Sequence, residues 1–349
     1  MFDLTSPAVP VIAASMAGGP STPELVIAAA HGGGLGFLAA GYKTPDAVGA
    51  EIDAVADARI TYGVNIFAPG RPLRDRRAVE RYREALGPLA RHLGIDLPDI
   101  VDADDDRFDA KVDLMIERRV PLVSFTFGLP SREVVDRLHE AGILVIASVA
   151  DPADATRALA VGVDALCVQG AEAGGHRATL DIDAVPNTTS TLDLLGQIGG
   201  LTDVPLIAAG GIGDGPMIDD CLAAGAVAVQ VGTALLDADE AGTNAVHRAA
   251  LRDPAFDATT VTRAFSGRPA RALRNRFIED FDAAAPAEYP TVHHLTSPIR
   301  KAAIAAGDPS AVNLWAGAAH RGVRGGSATE IIAGLWADTA AAASARSVR

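Results

Sequence analysis

Eight short apolar, largely β-branched runs recur along the chain, and their number limits the folds open to it more than any other feature. They are Val9 to Met16, Leu35 to Gly41, Ile60 to Phe67, Leu122 to Phe127, Ile143 to Val149, Ala165 to Gln169, Pro205 to Gly211 and Ala228 to Leu235. Helical patterns lie between them. The runs are nearly continuous in apolar character rather than alternating, as expected of strands covered by helices on one side and by a barrel core on the other. Eight is the number that a closed parallel barrel requires, so the sequence predicts an α/β protein with a (β/α)8 TIM barrel.

The connections carry matching punctuation. Thr22-Pro23, Thr44-Pro45 and Asp151-Pro152 each place an N-cap residue before a proline at the first helical position, the arrangement that starts a helix. Gly142, Gly162 and Gly225 follow helical stretches and precede strands, where a left-handed residue is wanted. Two stretches break the rhythm. Between Phe67 and Leu122 the chain is Arg-rich and then acidic, which predicts an extra helical excursion after the third strand. From Asp237 to about Pro309 it becomes polar and proline-punctuated, which predicts a smaller helical segment over the barrel mouth. The expected divisions are a barrel over 1–236, a lid segment over 237–309 and closing helices over 310–349.

Composition narrows the function classes. A formal charge of −14 argues against a nucleic-acid surface, because phosphate backbones attract clustered Lys and Arg. The acidic run Asp102 to Asp106 has no nearby His or Cys and is expected to be a solvated loop, so no metal is assigned. Cys167 and Cys221 lie in apolar segments without CxxC spacing and are expected to be buried thiols. No basic-then-apolar leader and no 18-residue apolar run occurs; a soluble cytoplasmic protein without membrane contact is expected. Nothing in the sequence speaks to oligomeric state.

In such a barrel the chemistry belongs at the strand ends. Gly210-Gly211 and Gly232-Thr233, with Gln230 and Val231 before the latter, close the last two runs, where close backbone approach and exposed N–H groups suit a phosphate. Gln169 ends the sixth run, and the Gly-rich segment after it leads through Gly174 and Gly175 to His176. A histidine there, with a pKa near neutrality, is a candidate base or acid. Glu172 in the same segment is the alternative titrating group, but a surface carboxylate or a helix-cap partner is the expected role. Asn65 ends the third run, where its amide pairs either with loop backbone or with a ligand edge. Met16 either packs against a planar ring or fills core.

Gly63-Val64-Asn65, the Gln169-Gly170 to Gly174-Gly175-His176 segment, Ala208-Ala209-Gly210-Gly211-Ile212, Gln230-Val231-Gly232-Thr233, Ser266-Gly267-Arg268-Pro269-Ala270-Arg271 and Leu314-Trp315-Ala316-Gly317 together resemble the nitronate monooxygenase family, from about Val9 to Gly317. The resemblance implies FMN contacts at Asn65, Gln169, Gly174, Gly211 and the Gln230 to Thr233 turn. It makes His176 the catalytic residue and small nitro compounds with O₂ the substrates, oxidised to a carbonyl compound and nitrite. Where the family typically opens Gln-Ala-Pro-Met, this chain has Ala13-Ala14-Ser15-Met16, losing an amide and a proline beside the flavin. Two other readings stand beside it: an FMN-dependent enoyl-acyl-carrier-protein reductase using NAD(P)H, and a non-catalytic barrel that binds a phosphorylated ligand.

Overall fold

The computed structural model describes Leu4 and residues 6–347. Its strands are β1 (Val11–Ala13), β2 (Leu35–Ala39), β3 (Tyr62–Phe67), β4 (Leu122–Thr126), β5 (Leu144–Val149), β6 (Ala165–Gln169), β7 (Gly175–His176), β8 (Leu206–Ala209), β9 (Ala228–Val231), β10 (Thr259–Thr262) and β11 (Ala270–Leu273). Eight close a parallel barrel in the order β1-β2-β3-β4-β5-β6-β8-β9, and β10-β11-β7 form a separate antiparallel sheet. The helices are α1 (Pro23–His31), α2 (Pro45–Asp57), α3 (Arg76–His92), α4 (Phe108–Glu117), α5 (Arg132–Glu140), α6 (Pro152–Val161), α7 (Thr191–Gly199), α8 (Gly215–Ala223), α9 (Ala245–Arg252), α10 (Arg276–Phe281), α11 (Thr291–Ala306) and α12 (Ala328–Ser347).

Each of the eight expected runs holds one barrel strand. The runs at Val9 and Ala228 overshoot because apolar character continues past the extended backbone: Gly232 leaves the β region (φ −114°, ψ −67°) and a 3₁₀ turn follows over Thr233–Leu235. The cap residues act as read. Thr22, Thr44 and Asp151 accept hydrogen bonds from the backbone N–H groups of Leu25, Ala47 and Asp154, while Gly142, Gly162 and Gly225 have φ of 79°, 88° and 100°.

Strand alternation divides the core in two. Ile12, Phe37, Leu122, Ile146, Cys167 and Ile207 point into the barrel with Leu4, whereas Val11, Val64, Val123, Val145, Leu166 and Val229 pack outward against the helices. A side chain on Gly63 would come 2.2 Å from the Phe37 ring, so that glycine leaves room for the aromatic inside the barrel.

Seven barrel helices, α1, α2, α4, α5, α6, α7 and α8, lie along the chain between their own strand and the next barrel strand, but the helix completing β9 is α12, which packs between α8 and α1. The lid is inserted between the eighth strand and the eighth helix. It has its own core, where Phe265, Leu273, Phe277, Val292 and Ile299 meet Val79, Tyr82 and Leu86 of α3, and Tyr82 Oη donates to the Ala264 carbonyl at 2.6 Å. The excursion after β3 therefore divides: α4 covers the barrel and α3 belongs to the lid. The lid also contains β10 and β11, strands that its polar, proline-rich sequence does not announce.

The packing of α12 on α8 yields a prediction. A Cβ at Gly215 would lie 2.3 Å from backbone atoms of Asp338 and Thr339, so Gly215→Ala forces the helices apart and should lower stability by about 1–3 kcal/mol. Urea unfolding of the two proteins measures it, and an unchanged midpoint would show that α12 is not held against α8 this closely.

Candidate active site

On four strands the inward positions change from apolar to polar toward the C-terminal end: Leu122 gives way to Ser124 and Thr126, Ile146 to Ser148, Cys167 to Gln169, and Ala228 to Gln230. These ends floor a cavity of about 970 Å³ roofed by the lid, at the upper end of the range for small-molecule sites. Met16, Asn65, Gln169, Gly174, His176, Gly210, Gly211, Gln230, Gly232 and Thr233 all line it. Val231 does not. Alternation turns its side chain outward into the barrel–helix core, and its carbonyl accepts from Ala14 N–H at 2.9 Å.

The two carboxamides are held by the protein itself. Asn65 Nδ2 faces Ser124 Oγ and Thr126 Oγ1, both at 2.9 Å, so its donors are committed to β4. Gln169 Nε2 donates to the His176 carbonyl at 3.1 Å and Oε1 accepts from Ala178 N–H at 2.9 Å. Gln169 thus clamps the segment carrying His176. Glu172 is a helix-cap partner, its Oε2 accepting from Thr191 N–H and Oγ1 at 3.1 Å each.

His176 does not sit in a free loop. It lies on β7, paired through Ala270 with β11 of the lid. The Ser266 to Arg271 motif surrounds it: Arg271 Nη2 donates to the Ala171 carbonyl at 2.8 Å, and Ser266 Oγ lies 2.9 Å from His176 Nε2. Ser266 gives its own hydrogen to the Arg268 carbonyl at 3.1 Å, so Nε2–H is the donor and Nδ1 carries the lone pair. The Trp315 motif reaches the same loop, since a Cβ on Gly174 would meet Gly317 N at 2.4 Å. Only glycine at 174 allows that approach.

Aromatic rings wall the histidine. Phe127 and Trp315 have centroids 5.2 Å away and Tyr289 6.0 Å away, and Tyr42 stacks on His293 at 3.9 Å. Arg268 is buried without a carboxylate, its guanidinium 4.4 Å from the Phe127 ring centroid and donating to the carbonyls of Phe127 and Thr179. Arg300 lines the cavity and donates to the His293 carbonyl at 2.8 Å. Burial, with the charges of Arg268 and Arg300, pushes His176 down to about 3. The near-neutral value expected from sequence is corrected: the imidazole is uncharged at physiological pH. The solvated-loop expectation for Asp102 to Asp106 also needs amendment. Asp104 and Asp106 line the cavity, and Asp106 pairs at 2.7 Å with the fully buried Lys111 while accepting from Tyr42 N–H.

Both cysteines are free and buried, and burial pushes each thiol up to about 12. Among the described residues, no three His, Cys, Asp or Glu gather as a metal site, and no helix is long and apolar enough to cross a membrane.

A glycine-cradled, lid-covered cavity at the C-terminal mouth of a (β/α)8 barrel defines a barrel enzyme with its chemistry on the strand ends. The model of the nitronate monooxygenase family matches residues 2–338, and the chain belongs to that family of flavin-dependent oxidoreductases. A probable nitronate monooxygenase of Staphylococcus aureus strain MSSA476 is 36% identical over 318 residues, 89% of each chain. The structure of nitroalkane oxidase from Streptomyces ansochromogenes superposes with a TM-score of 0.93 at 44% identity, covering 97% of this chain and 98% of that one. FabK from Thermotoga maritima, at 24% identity and a TM-score of 0.76 over 99% of this chain and 97% of its own, shares the fold.

The buried histidines give a pH prediction. His176 is held near 3, His247 near 4 and His293 well below its usual value, burial being the first cause in each. Unfolded histidines protonate below about 6.5, so in that range the unfolded chain binds more protons than the folded one, and stability falls as pH drops. Each histidine contributes a slope of about 1.4 kcal/mol per pH unit well below that point. Urea midpoints at pH 7 and pH 5 should differ accordingly; equal midpoints would contradict burial of neutral imidazoles.

Proposed function

We propose that this chain binds FMN across the barrel mouth and oxidises alkyl nitronates with O₂, and nitroalkanes once His176 has taken their α-proton, to a carbonyl compound and nitrite. It is assigned to the cytoplasm, where free buried thiols persist, with residues 237–309 as the substrate lid. The observation that carries the reading is a neutral histidine with a defined tautomer, set beside an arginine-bearing wall in the cavity that also contains both glycine turns.

The residues fit FMN. Gly210 and Gly211 adopt φ of 111° and 70°, and with Gly232 they leave backbone open beside the Thr233 hydroxyl for a phosphate. The dinucleotide fingerprint GxGxxG is absent from this turn. The polar floor at Asn65 and Gln230 suits the heteroatom edge of a flavin, and Met16 suits its ring face. When bound, the flavin supplies the redox step and the reaction with O₂.

The protein's own groups do the rest. Nδ1 of His176, left with the lone pair by Ser266, accepts the α-proton. A lone imidazolium is disfavoured between Arg268 and Arg300, yet the same transfer creates a nitronate anion, which Arg300 and the new imidazolium both stabilise. With His176 neutral in the resting site, Arg300 is the group that attracts a preformed nitronate. Phe127, Tyr289 and Trp315 exclude water and strengthen these charge interactions.

Two variants test the reading. His176→Asn should retain FMN and lose turnover of neutral nitroalkane by about 10²–10⁴-fold, far more than turnover of preformed nitronate; equal losses would remove the base assignment. Thr233→Asp keeps an acceptor for Gly317 N–H, which Thr233 Oγ1 receives at 2.9 Å, but sets a carboxylate against the phosphate. It should release FMN while holding riboflavin as the parent does, and undiminished FMN affinity would move the phosphate elsewhere. Rapid anaerobic bleaching of the flavin by NAD(P)H would favour the reductase reading instead.

A further inference from the structure

One part of the cavity lining is left unused by the proposed chemistry, and we refer to it as the Thr243–His247 lobe. It lies between Gly18 of the loop after β1 and Thr243 and His247 at the start of α9, with Asn313 and Trp315 alongside. His247 is 5% exposed and Thr243 7%. Among the described residues neither His247 Nε2 nor Thr243 Oγ1 has a hydrogen-bond partner. Two orphan polar atoms, four residues apart on one helix start and facing one cavity, are costly to leave unmade.

The chemistry of the missing partner follows from the tautomer. A hydrogen bond to the Trp315 backbone opposes the downward push of burial on His247, the sign expected when a ring N–H donates to a carbonyl. Nε2 is then the lone-pair nitrogen and an acceptor, and Thr243 Oγ1 can both accept and donate. A carboxylate or other pure acceptor cannot satisfy Nε2. A hydroxyl can bridge both atoms, donating to one and accepting from the other.

Resting on the nitronate reading, we infer that the Thr243–His247 lobe is a second substrate subsite that binds a hydroxyl group at the end of the substrate remote from the nitro carbon. Trp315 contacts both histidines, its ring 5.2 Å from that of His176 and its backbone hydrogen-bonded to His247, so the substrate is a chain long enough to reach from one to the other past this residue. The favoured substrates are hydroxylated nitroalkanes rather than short unsubstituted ones.

The test uses the FMN-loaded enzyme with nitronates of 1-nitroalkanes of increasing length and their terminally hydroxylated counterparts. At one chain length the hydroxylated member should show a kcat/KM about 10-fold or more above its partner, as a hydrogen bond to buried orphan groups provides. Thr243→Val and His247→Phe should each bring that ratio close to one; the ratio is read within each protein, and Thr243→Val keeps the side-chain shape should His247→Phe fold poorly. A ratio near one at every length in the parent would overturn the inference, since bound water then serves the orphan atoms equally well. An unchanged ratio in the variants with weakened FMN binding would also overturn it, assigning the lobe to the cofactor. Absence of turnover in both series would instead sink the nitronate reading. The pairs would then be titrated against the flavin absorbance, and dissociation constants would carry the same comparison.

Discussion

A closed parallel barrel has no water inside, and that constraint shapes everything above it. Inward side chains must be apolar until the strands approach the mouth, where polar atoms find partners in neighbouring strands or in a ligand. The sequence from Leu122 through Ser124 to Thr126 traverses this boundary within five residues of one strand. Asn65, Ser124 and Thr126 satisfy one another across β3 and β4, so the floor is rigid before any ligand arrives. The glycine turns, the clamp of Gln169 on β7 and the lid all build upon that floor.

The barrel was legible because its signals are local. Apolar runs, threonine or aspartate before proline, and glycine at the helix end each act within a few residues. The cavity floor was legible for the same reason, since Asn65, Gln169 and Gln230 are polar residues ending apolar strands. The roof was not. Tyr42 after β2, Phe127 after β4, and the stretch carrying Tyr289, His293 and Arg300 in and just before α11 come from three remote segments, and no spacing along the chain links the three. Val231 shares a four-residue motif with Gln230, Gly232 and Thr233, yet its side chain faces the helices, because alternation sends adjacent residues to opposite faces. The burial of Arg268 had no signal either, as arginine is ordinarily a surface residue.

Charge is arranged oppositely at the two scales. The protein as a whole is strongly acidic at −14, and Asp104 and Asp106 line its cavity, but the charges that act on His176 are those of Arg268 and Arg300. Carbonyl groups and ring faces stabilise Arg268, leaving its field uncancelled. A neutral histidine placed in that field gains basicity only when an anion arrives with the proton. Substrate ionisation and the electrostatics of the empty enzyme are therefore complementary, and stray protonation of the resting site is suppressed.

The lid leaves the barrel after β9 and returns before α12, and its two ends are stitched together: Ala238 bridges Gly326, and Asp239 N–H donates to the Gly326 carbonyl at 2.9 Å. A segment whose entrance and exit touch can be lengthened, shortened or exchanged without altering strand register, because the barrel experiences only a fixed neck. The same arrangement orders biogenesis. The helix that covers the seam between β9 and β1 leaves the ribosome only after the lid, so during synthesis the outer face of that seam waits bare until the lid has been made. Nascent chains of this architecture have their greatest need of chaperone shielding while the lid is complete and α12 is still missing.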